Sequence, residues 1–295
     1  MTGIICLNKH EGISSFWAVK QTLKAIGEKK GGHTGTLDPF ATGVLPIALG
    51  RATRFIELLP SSKKAYHAKI QLGITTDTLD ITGKVLSRSE VNINEEQLLA
   101  VCESFRGKIK QTPPMYSAVS KDGVRLYELA RQGLEVDREE REIEIYSLDV
   151  SDFENGEFTL EVSCSAGTYI RTLIDDIGRK LGCGAVMTAL VRTRANGFQL
   201  DDCHTLAEIE EYANNGKVNE LIVPVEKCFD CYSSVTVSEA QAKRFSNGGE
   251  LSLDRIKFPF TDGFYRVLSP AGKFLGLGEA CLDENLLKVR RVYVD

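Results

Sequence analysis

Phe158-Thr-Leu-Glu-Val-Ser-Cys164 alternates apolar and polar side chains, and Gly167-Thr-Tyr-Ile-Arg-Thr-Leu-Ile-Asp-Asp-Ile-Gly-Arg-Lys-Leu-Gly182 abandons that alternation. The first run reads as a strand with one buried face. In the second, Ile170, Leu173, Ile174, Ile177 and Leu181 recur three or four apart, so they share one helix face, and Gly182 closes the helix. Just upstream, Ile143 and Ile145 alternate with glutamates in a further strand. Two neighbouring strands followed by one helix favour hairpins over strict βαβ alternation, and hence an α+β fold.

Flanking segments agree. Gly3–Leu7 reads as a short buried strand. Ser14 or Ser15 caps a helix with Phe16, Val19, Leu23 and Ile26 on its apolar stripe and Gly27 as its stop. Gly31–Gly43 is rich in turn formers and reads as a loop, and Val44–Leu49 returns to apolar structure. Tyr66, Ala68, Ile70 and Leu72 alternate as in a half-buried strand. Asn94 caps a helix through Leu98, Val101, Cys102 and Phe105, with Gln97 at the capping-box position and Gly107 as terminator. After about residue 230, short strand signals (Ser233–Val237, Tyr265–Leu268, Phe274–Leu277, Leu287–Val294) alternate with glycine turns. The expected layout is a domain of residues 1–230 and a small, mostly β domain of residues 231–295. Two domains also suit 295 residues at roughly 150 per domain.

No apolar run approaches the roughly 20 residues of a membrane span, and the N-terminus lacks the pattern of a signal peptide. No membrane association and a cytoplasmic location are expected. Eight scattered cysteines do not resemble a disulfide framework. Cys228 and Cys231 form one CxxC, but no second pair completes a zinc site, and the four histidines lack ligand spacing.

The net charge of −5 hides a segregated distribution. Residues 1–60 hold 7 basic and 4 acidic side chains (+3), and residues 105–131 hold 6 and 2 (+4). Residues 132–160 hold 2 and 10 (−8), and residues 201–230 hold 2 and 8 (−6). An acidic protein can therefore still present a basic face to nucleic acid. Lys20, Lys24, Arg106, Lys108, Lys110, Arg125 and Arg131 are candidate phosphate contacts.

The loop Gly32-His-Thr-Gly-Thr-Leu-Asp-Pro-Phe-Ala-Thr-Gly43 is the most unusual local sequence. It is no Walker loop, because Val44-Leu45 follows Gly43 where Lys-Ser/Thr is required. Its one carboxylate, Asp38, precedes Pro39, so it sits on stiffened backbone. A rigidly placed carboxylate can act as nucleophile or base; an Asp-Pro pair can also merely make a turn.

The run Gly32–Pro46 resembles the signature of the TruB-type tRNA pseudouridine-55 synthases. The resemblance continues through Asn8-Lys9, Gly12-Ile-Ser-Ser15, Lys64-Ala-Tyr66, Gln111–Ala118, Leu126–Gly133 and Cys164–Gly178. It implies a mixed, mainly antiparallel catalytic sheet of the pseudouridine synthase type with a C-terminal PUA-like RNA-binding domain. The implied reaction isomerises uridine 55 in the T-arm of tRNA to pseudouridine. The implied essential residue is Asp38. By the same matching, His33 flips or holds the target nucleotide, Tyr66 stacks on the base, and Tyr169, Arg171 and Leu190 complete the pocket. Lys9 matches the lysine of the N-terminal motif and joins the substrate-binding set. The family usually has proline at His10 and often a lysine at Ser120.

The chemistry suits these residues. Pseudouridine formation breaks a glycosidic bond and rejoins uracil to the same sugar carbon through C5. Nothing is oxidised, so no cofactor and no metal are expected. The uridine must leave its stack, at a cost of a few kcal/mol. Tyr66 offers a stacking face worth roughly 1–3 kcal/mol per base. Arg171 falls in the first turn of its helix, where a cation gains nothing from the dipole; pairing with Asp38 gives it a reason. Leu190 and Ile170 supply apolar walls. The expected partner is the tRNA T-arm stem-loop, bound by a monomer without a guide RNA. A non-catalytic RNA-binding protein that keeps the pocket is the rival reading.

Overall fold

The computed structural model describes residues 1–60 and 63–293. Its strands are β1 (Gly3–Lys9), β2 (Gly31–His33), β3 (Thr42–Leu49), β4 (Lys64–Leu72), β5 (Ile74–Thr76), β6 (Val85–Arg88), β7 (Gly107–Gln111), β8 (Ser120–Lys121), β9 (Val124–Arg125), β10 (Arg141–Glu154), β11 (Glu157–Cys164), β12 (Ala185–Ala195) and β13 (Phe198–Gln199). Helices α1 (Ser15–Ala25), α2 (Glu95–Glu103), α3 (Leu126–Arg131), α4 (Ile170–Leu181) and α5 (Leu206–Asn214) interleave with them. A nine-stranded sheet runs β1-β3-β12-β4-β11-β10-β7, with β2 beside β3 and β13 beside β12. Every pairing in it is antiparallel except β3 with β12.

That parallel contact is short and depends on one glycine. Gly43 faces Arg192 across it and has φ of 101°, and a Cβ there would lie 2.3 Å from the Arg192 carbonyl oxygen. Only glycine meets both conditions.

Local signals explain most elements. Ser14 caps α1, accepting from the Trp17 amide. Asn94 and Gln97 form a reciprocal capping box on α2. Gly182 ends α4 in the left-handed conformation with φ of 80°. The core lies between the sheet and its helices and takes in Leu45, Ile47, Ala68, Ile70, Leu160, Leu173, Ile174 and Ile177.

Two expectations are corrected. Gly31–His33, read as loop, is strand β2 paired to β3. Leu23 of α1 packs against Gly31, where a Cβ would come within 2.8 Å of its Cδ2, so the glycine admits the helix to the strand. Phe16, assigned to the buried stripe of α1, is exposed; Ser15, Ala18, Val19, Thr22 and Leu23 form the buried face.

Towards the C-terminus, β14 (Ser234–Thr236), β15 (Leu251–Ser252), β16 (Gly263–Leu268), β17 (Phe274–Cys281) and β18 (Leu286–Val292) form a second sheet, ordered β14-β16-β17-β18-β15. Helix α6 (Glu239–Ser246), which the strand-dominated reading did not anticipate, covers it from a Ser238–Gln241 capping box. This sheet has its own core around Val235, Phe245, Val267 and Leu287. A further cluster joins Phe55 and Val44 to Phe229, Phe274 and Tyr293, welding the two sheets together. The expected strand end at Val294 and the domain limit at 295 lie outside the described residues.

Candidate active site

Asp38 lies in the bend between β2 and β3, and three buried groups fix that bend. Ser15 Oγ donates to the Leu37 carbonyl at 2.9 Å and accepts from the Leu37 amide at 2.8 Å. Lys9, 0% exposed at the end of β1, donates to the carbonyls of His10, Ile13 and Pro39 at 3.0, 2.8 and 3.1 Å. Arg192, 1% exposed on β12, donates to the carbonyls of Val44, Thr36 and Gly35 at 2.8, 3.1 and 3.0 Å. These donors satisfy carbonyls that a buried irregular segment would otherwise leave unpaired.

The Asp38 carboxylate, 33% exposed, meets Arg171 through two bonds: Nε to Oδ2 at 2.9 Å and Nη2 to Oδ1 at 3.1 Å. Such a fork fixes orientation as well as charge. Arg171 also donates to the carbonyls of Thr78 and Tyr116 at 3.0 and 2.8 Å and stands 3.9 Å from Asp80. Asp80 is buried and accepts from Thr78 and Thr82. One guanidinium thus gathers the Asp38 bend, the Thr78–Asp80 turn and the Tyr116 segment at the start of α4. Burial lifts the Asp38 pKa above its ordinary value; Arg171 pulls it down, and the net direction is upward.

A cavity of about 260 Å³ opens over this carboxylate, lined by Thr36, Leu37, Asp38, Lys64, Tyr66, Ser117, Ala118, Gly167, Thr168, Tyr169, Ile170, Arg171 and Leu190. Tyr66 is buried on β4, and burial pushes its phenol up to about 12. Leu190 stands on β12, next but one to Arg192. Gln111 sets the backbone of Tyr169: its amide donates to the Tyr169 carbonyl at 3.0 Å and its oxygen accepts from the Tyr169 amide at 2.8 Å. The Lys64 ammonium also lines the cavity, with no hydrogen-bond acceptor among the described residues, and burial lowers its pKa.

The fold therefore brings Asp38, Tyr66, Tyr169, Arg171 and Leu190 to one cavity. Two expected members stand elsewhere. Lys9 is buried beneath the bend with its donors spent on carbonyls, so it braces Asp38 and is not placed to touch a ligand. His33, paired with Ile47 on β2, is not among the lining residues. Burial, then Arg192, lowers its pKa, and its Nδ1 is buried without a partner among the described residues. Arg192, Asp80, Gln111 and Lys64 were not singled out from sequence. Two arginines, Arg192 and Arg194, end the otherwise largely apolar run Ala185–Ala195, and nothing in their spacing separates the buried Arg192 from its neighbour.

A larger cavity, about 760 Å³, is lined by Leu59 and Pro60 together with residues between Asn196 and Cys231. Asp201, Asp202, Glu220 and Asp230 outweigh Lys227 in its lining, which suits a phosphate-bearing ligand poorly. Cys228 and Cys231 line it too, and among the described residues no cluster of three metal-ligating side chains forms there or elsewhere.

Comparison with known proteins fits this geometry. Residues 23–170 match the TruB family pseudouridylate synthase N-terminal domain, residues 171–230 the tRNA pseudouridylate synthase B C-terminal domain, and residues 233–293 the pseudouridine synthase II TruB C-terminal family. The chain belongs to the TruB family of pseudouridine synthases. Among its TruB relatives, the tRNA pseudouridine synthase B of Clostridium acetobutylicum is 42% identical over 290 residues, covering 98% of each chain. That of Clostridium perfringens is 40% identical over 299 residues, covering 100% of each. Among solved structures, a Cbf5–Nop10–Gar1 complex superposes with a TM-score of 0.77 at 27% identity, over 99% of this chain and 84% of the other. An H/ACA RNP bound to a substrate RNA containing 2′-deoxyuridine shares the fold at a TM-score of 0.76 and 24% identity, over 100% and 86%. The TruB N-terminal match takes in Asp38, Tyr66, Gln111 and Tyr169 and stops one residue short of Arg171. No helix among the described residues is long and apolar enough to cross a membrane.

Proposed function

We propose that this chain isomerises uridine 55 in the T-arm of tRNA to pseudouridine, with Asp38 as the catalytic carboxylate. The observation that carries the reading is the Asp38 carboxylate, forked by Arg171 at a small cavity walled by Tyr66 and Leu190. A flat base extruded from its stack fits between an aromatic face and an aliphatic wall. There its sugar carbon meets Asp38. Two cations, Lys64 and Arg171, accompany the carboxylate in the lining, and the free ammonium of Lys64 offers donors to a carbonyl or anionic oxygen of the substrate. Restricted water in the cavity keeps detached uracil in place until C5 bonds to the sugar. The atoms of the product are those of the substrate, so the step calls for no co-reactant.

The reading extends to the whole chain. Residues 1–230 form the catalytic unit and residues 231–295 a PUA-like RNA-binding unit. The chain acts as a monomer on bare tRNA, without a guide RNA, in the cytoplasm.

The test is incubation of the purified chain alone with unmodified tRNA transcript, digestion to nucleosides and mapping of the changed position. A mass-neutral uridine isomer at position 55, absent with Asp38→Ala, is expected. No isomer, or full turnover in Asp38→Ala, overturns the reading. Binding of tRNA that survives Asp38→Ala without any turnover by the wild type assigns the chain to the non-catalytic alternative.

A further inference from the structure

The first turn of α1 carries two large aromatic rings that the proposed reaction does not use. Phe16 and Trp17 are each 60% exposed, with ring centroids 6.0 Å apart in an edge-on arrangement. The Lys20 ammonium stands 5.5 Å from the Phe16 ring. Lys24 continues the same face one turn further, and α1 contains no acidic residue. Neither lysine has a carboxylate partner among the described residues, whereas Arg106, Lys108 and Lys110 are all paired with carboxylates. Beyond the helix end, Glu28 is engaged by the N-terminal ammonium.

The helix turn that carries these rings is bonded to the catalytic bend through its other, buried face. Ser15, adjacent to Phe16, holds both backbone polar groups of Leu37, and the Gly12 amide donates to the Pro39 carbonyl at 2.9 Å. The turn bearing both rings is thereby fastened to the segment that carries Asp38. Exposed aromatics interleaved with unpaired lysines suit unpaired bases and their phosphates.

We propose that Phe16 and Trp17 form a stacking platform for unpaired bases of the RNA substrate next to the extruded uridine, with Lys20 and Lys24 on the adjoining phosphates. The proposal rests on the RNA-isomerase reading above and adds a surface to it.

Trp17 is the only tryptophan of the chain, so its emission reports on this face directly. Titration with a T-arm stem-loop transcript is expected to quench it saturably, with a midpoint that rises with salt. Trp17→Ala and Phe16→Ala are each expected to raise KM by about 5- to 150-fold, as loss of one base stack implies, with kcat unchanged. Trp17→Phe keeps most of the affinity. Normal isomerisation with unchanged Trp17 emission overturns the platform and leaves the catalytic reading standing. So does an unaltered KM in the double variant. Emission that follows protein concentration in the absence of RNA assigns the face to self-association and overturns it as well. A wild-type chain that isomerises no uridine overturns the catalytic reading instead, whatever the emission does.

Discussion

The Arg171 guanidinium holds both oxygens of the Asp38 carboxylate, at 2.9 and 3.1 Å, from inside the first turn of α4. A cation at that end of a helix opposes the macrodipole. The placement is stabilised by the fork and by the carbonyls of Thr78 and Tyr116. Arg171→Met removes one partner of a largely buried pair and strands two carbonyls. A stability loss of roughly 3–5 kcal/mol is expected, read from urea midpoints. Arg171→Lys keeps the charge but cannot reproduce the fork. Its kcat is expected to fall more than tenfold, at a smaller cost in stability, as measured by single-turnover tRNA assays. Wild-type kcat in Arg171→Lys means the fork has no role in aligning Asp38.

Asp38 titrates above its ordinary range because burial outweighs Arg171. The ionised form is the one proposed to react, so kcat/KM falls as pH drops, with a midpoint above the ordinary 3.8. Stability runs the other way. A carboxyl whose folded pKa is raised binds its proton more tightly when folded, so its contribution is full at low pH and is lost as pH rises through the folded pKa. Asp38→Asn imitates the neutral carboxyl. It is expected to be inactive, yet to unfold at a urea concentration equal to or above that of wild type at pH 7. A clearly lower midpoint contradicts the direction of this shift.

The sequence discloses those parts of the molecule whose causes are local. The alternation in Phe158–Cys164, the stripe from Ile170 to Leu181 and the caps at Ser14, Asn94 and Gly182 all reappear as elements. β2 stayed hidden because Gly31-Gly32 shows no alternation and its pairing with Ile47–Leu49, like the packing of Leu23 on Gly31, is made with residues distant in sequence. Phe16 fits the period of the α1 stripe, but period alone does not say how far a stripe extends around the helix. In the site, the resemblance singles out Asp38, Tyr66, Tyr169, Arg171 and Leu190, and the fold assembles them. Arg192, Gln111 and Lys9 act on backbone groups brought from 58 to 157 positions away, or, for Lys9 on Pro39, 30 positions away. A carbonyl partner leaves no trace in side-chain spacing, so these three roles had to await the fold.

Lys9 is fully buried, and burial lowers its pKa to about 8 from 10.5, even with Asp38 opposing the shift. The unfolded chain therefore holds more protons at this site between pH 8 and pH 10.5. Wild-type stability must rise with pH across that window through this group, by up to about 3 kcal/mol. Lys9→Met lacks the group. The stability difference between wild type and Lys9→Met, followed by urea unfolding from pH 7 to pH 10, is expected to shift in favour of wild type as pH increases. A constant difference means that Lys9 is solvated in the folded chain.

Arg192 spans the site from behind. Its three donors reach Gly35, Thr36 and Val44, and its backbone closes on Gly43 with no room for a Cβ. Arg192→Met leaves three carbonyls near the bend without donors, each worth roughly 1–3 kcal/mol if kept from water. The same change removes the positive charge that, with burial, lowers the pKa of both His33 and Lys64. Arg192→Met is thus expected to lose several kcal/mol of stability and to raise the pKa of the His33 imidazole, which histidine ring NMR follows directly on the folded fraction at low temperature. Gly43→Ala attacks the contact from the other side, through both its φ and the Arg192 carbonyl, and is expected to impair folding and turnover together. If Arg192→Met kept wild-type stability while the His33 pKa stayed fixed, Arg192 would not be the brace that holds the Asp38 bend in register.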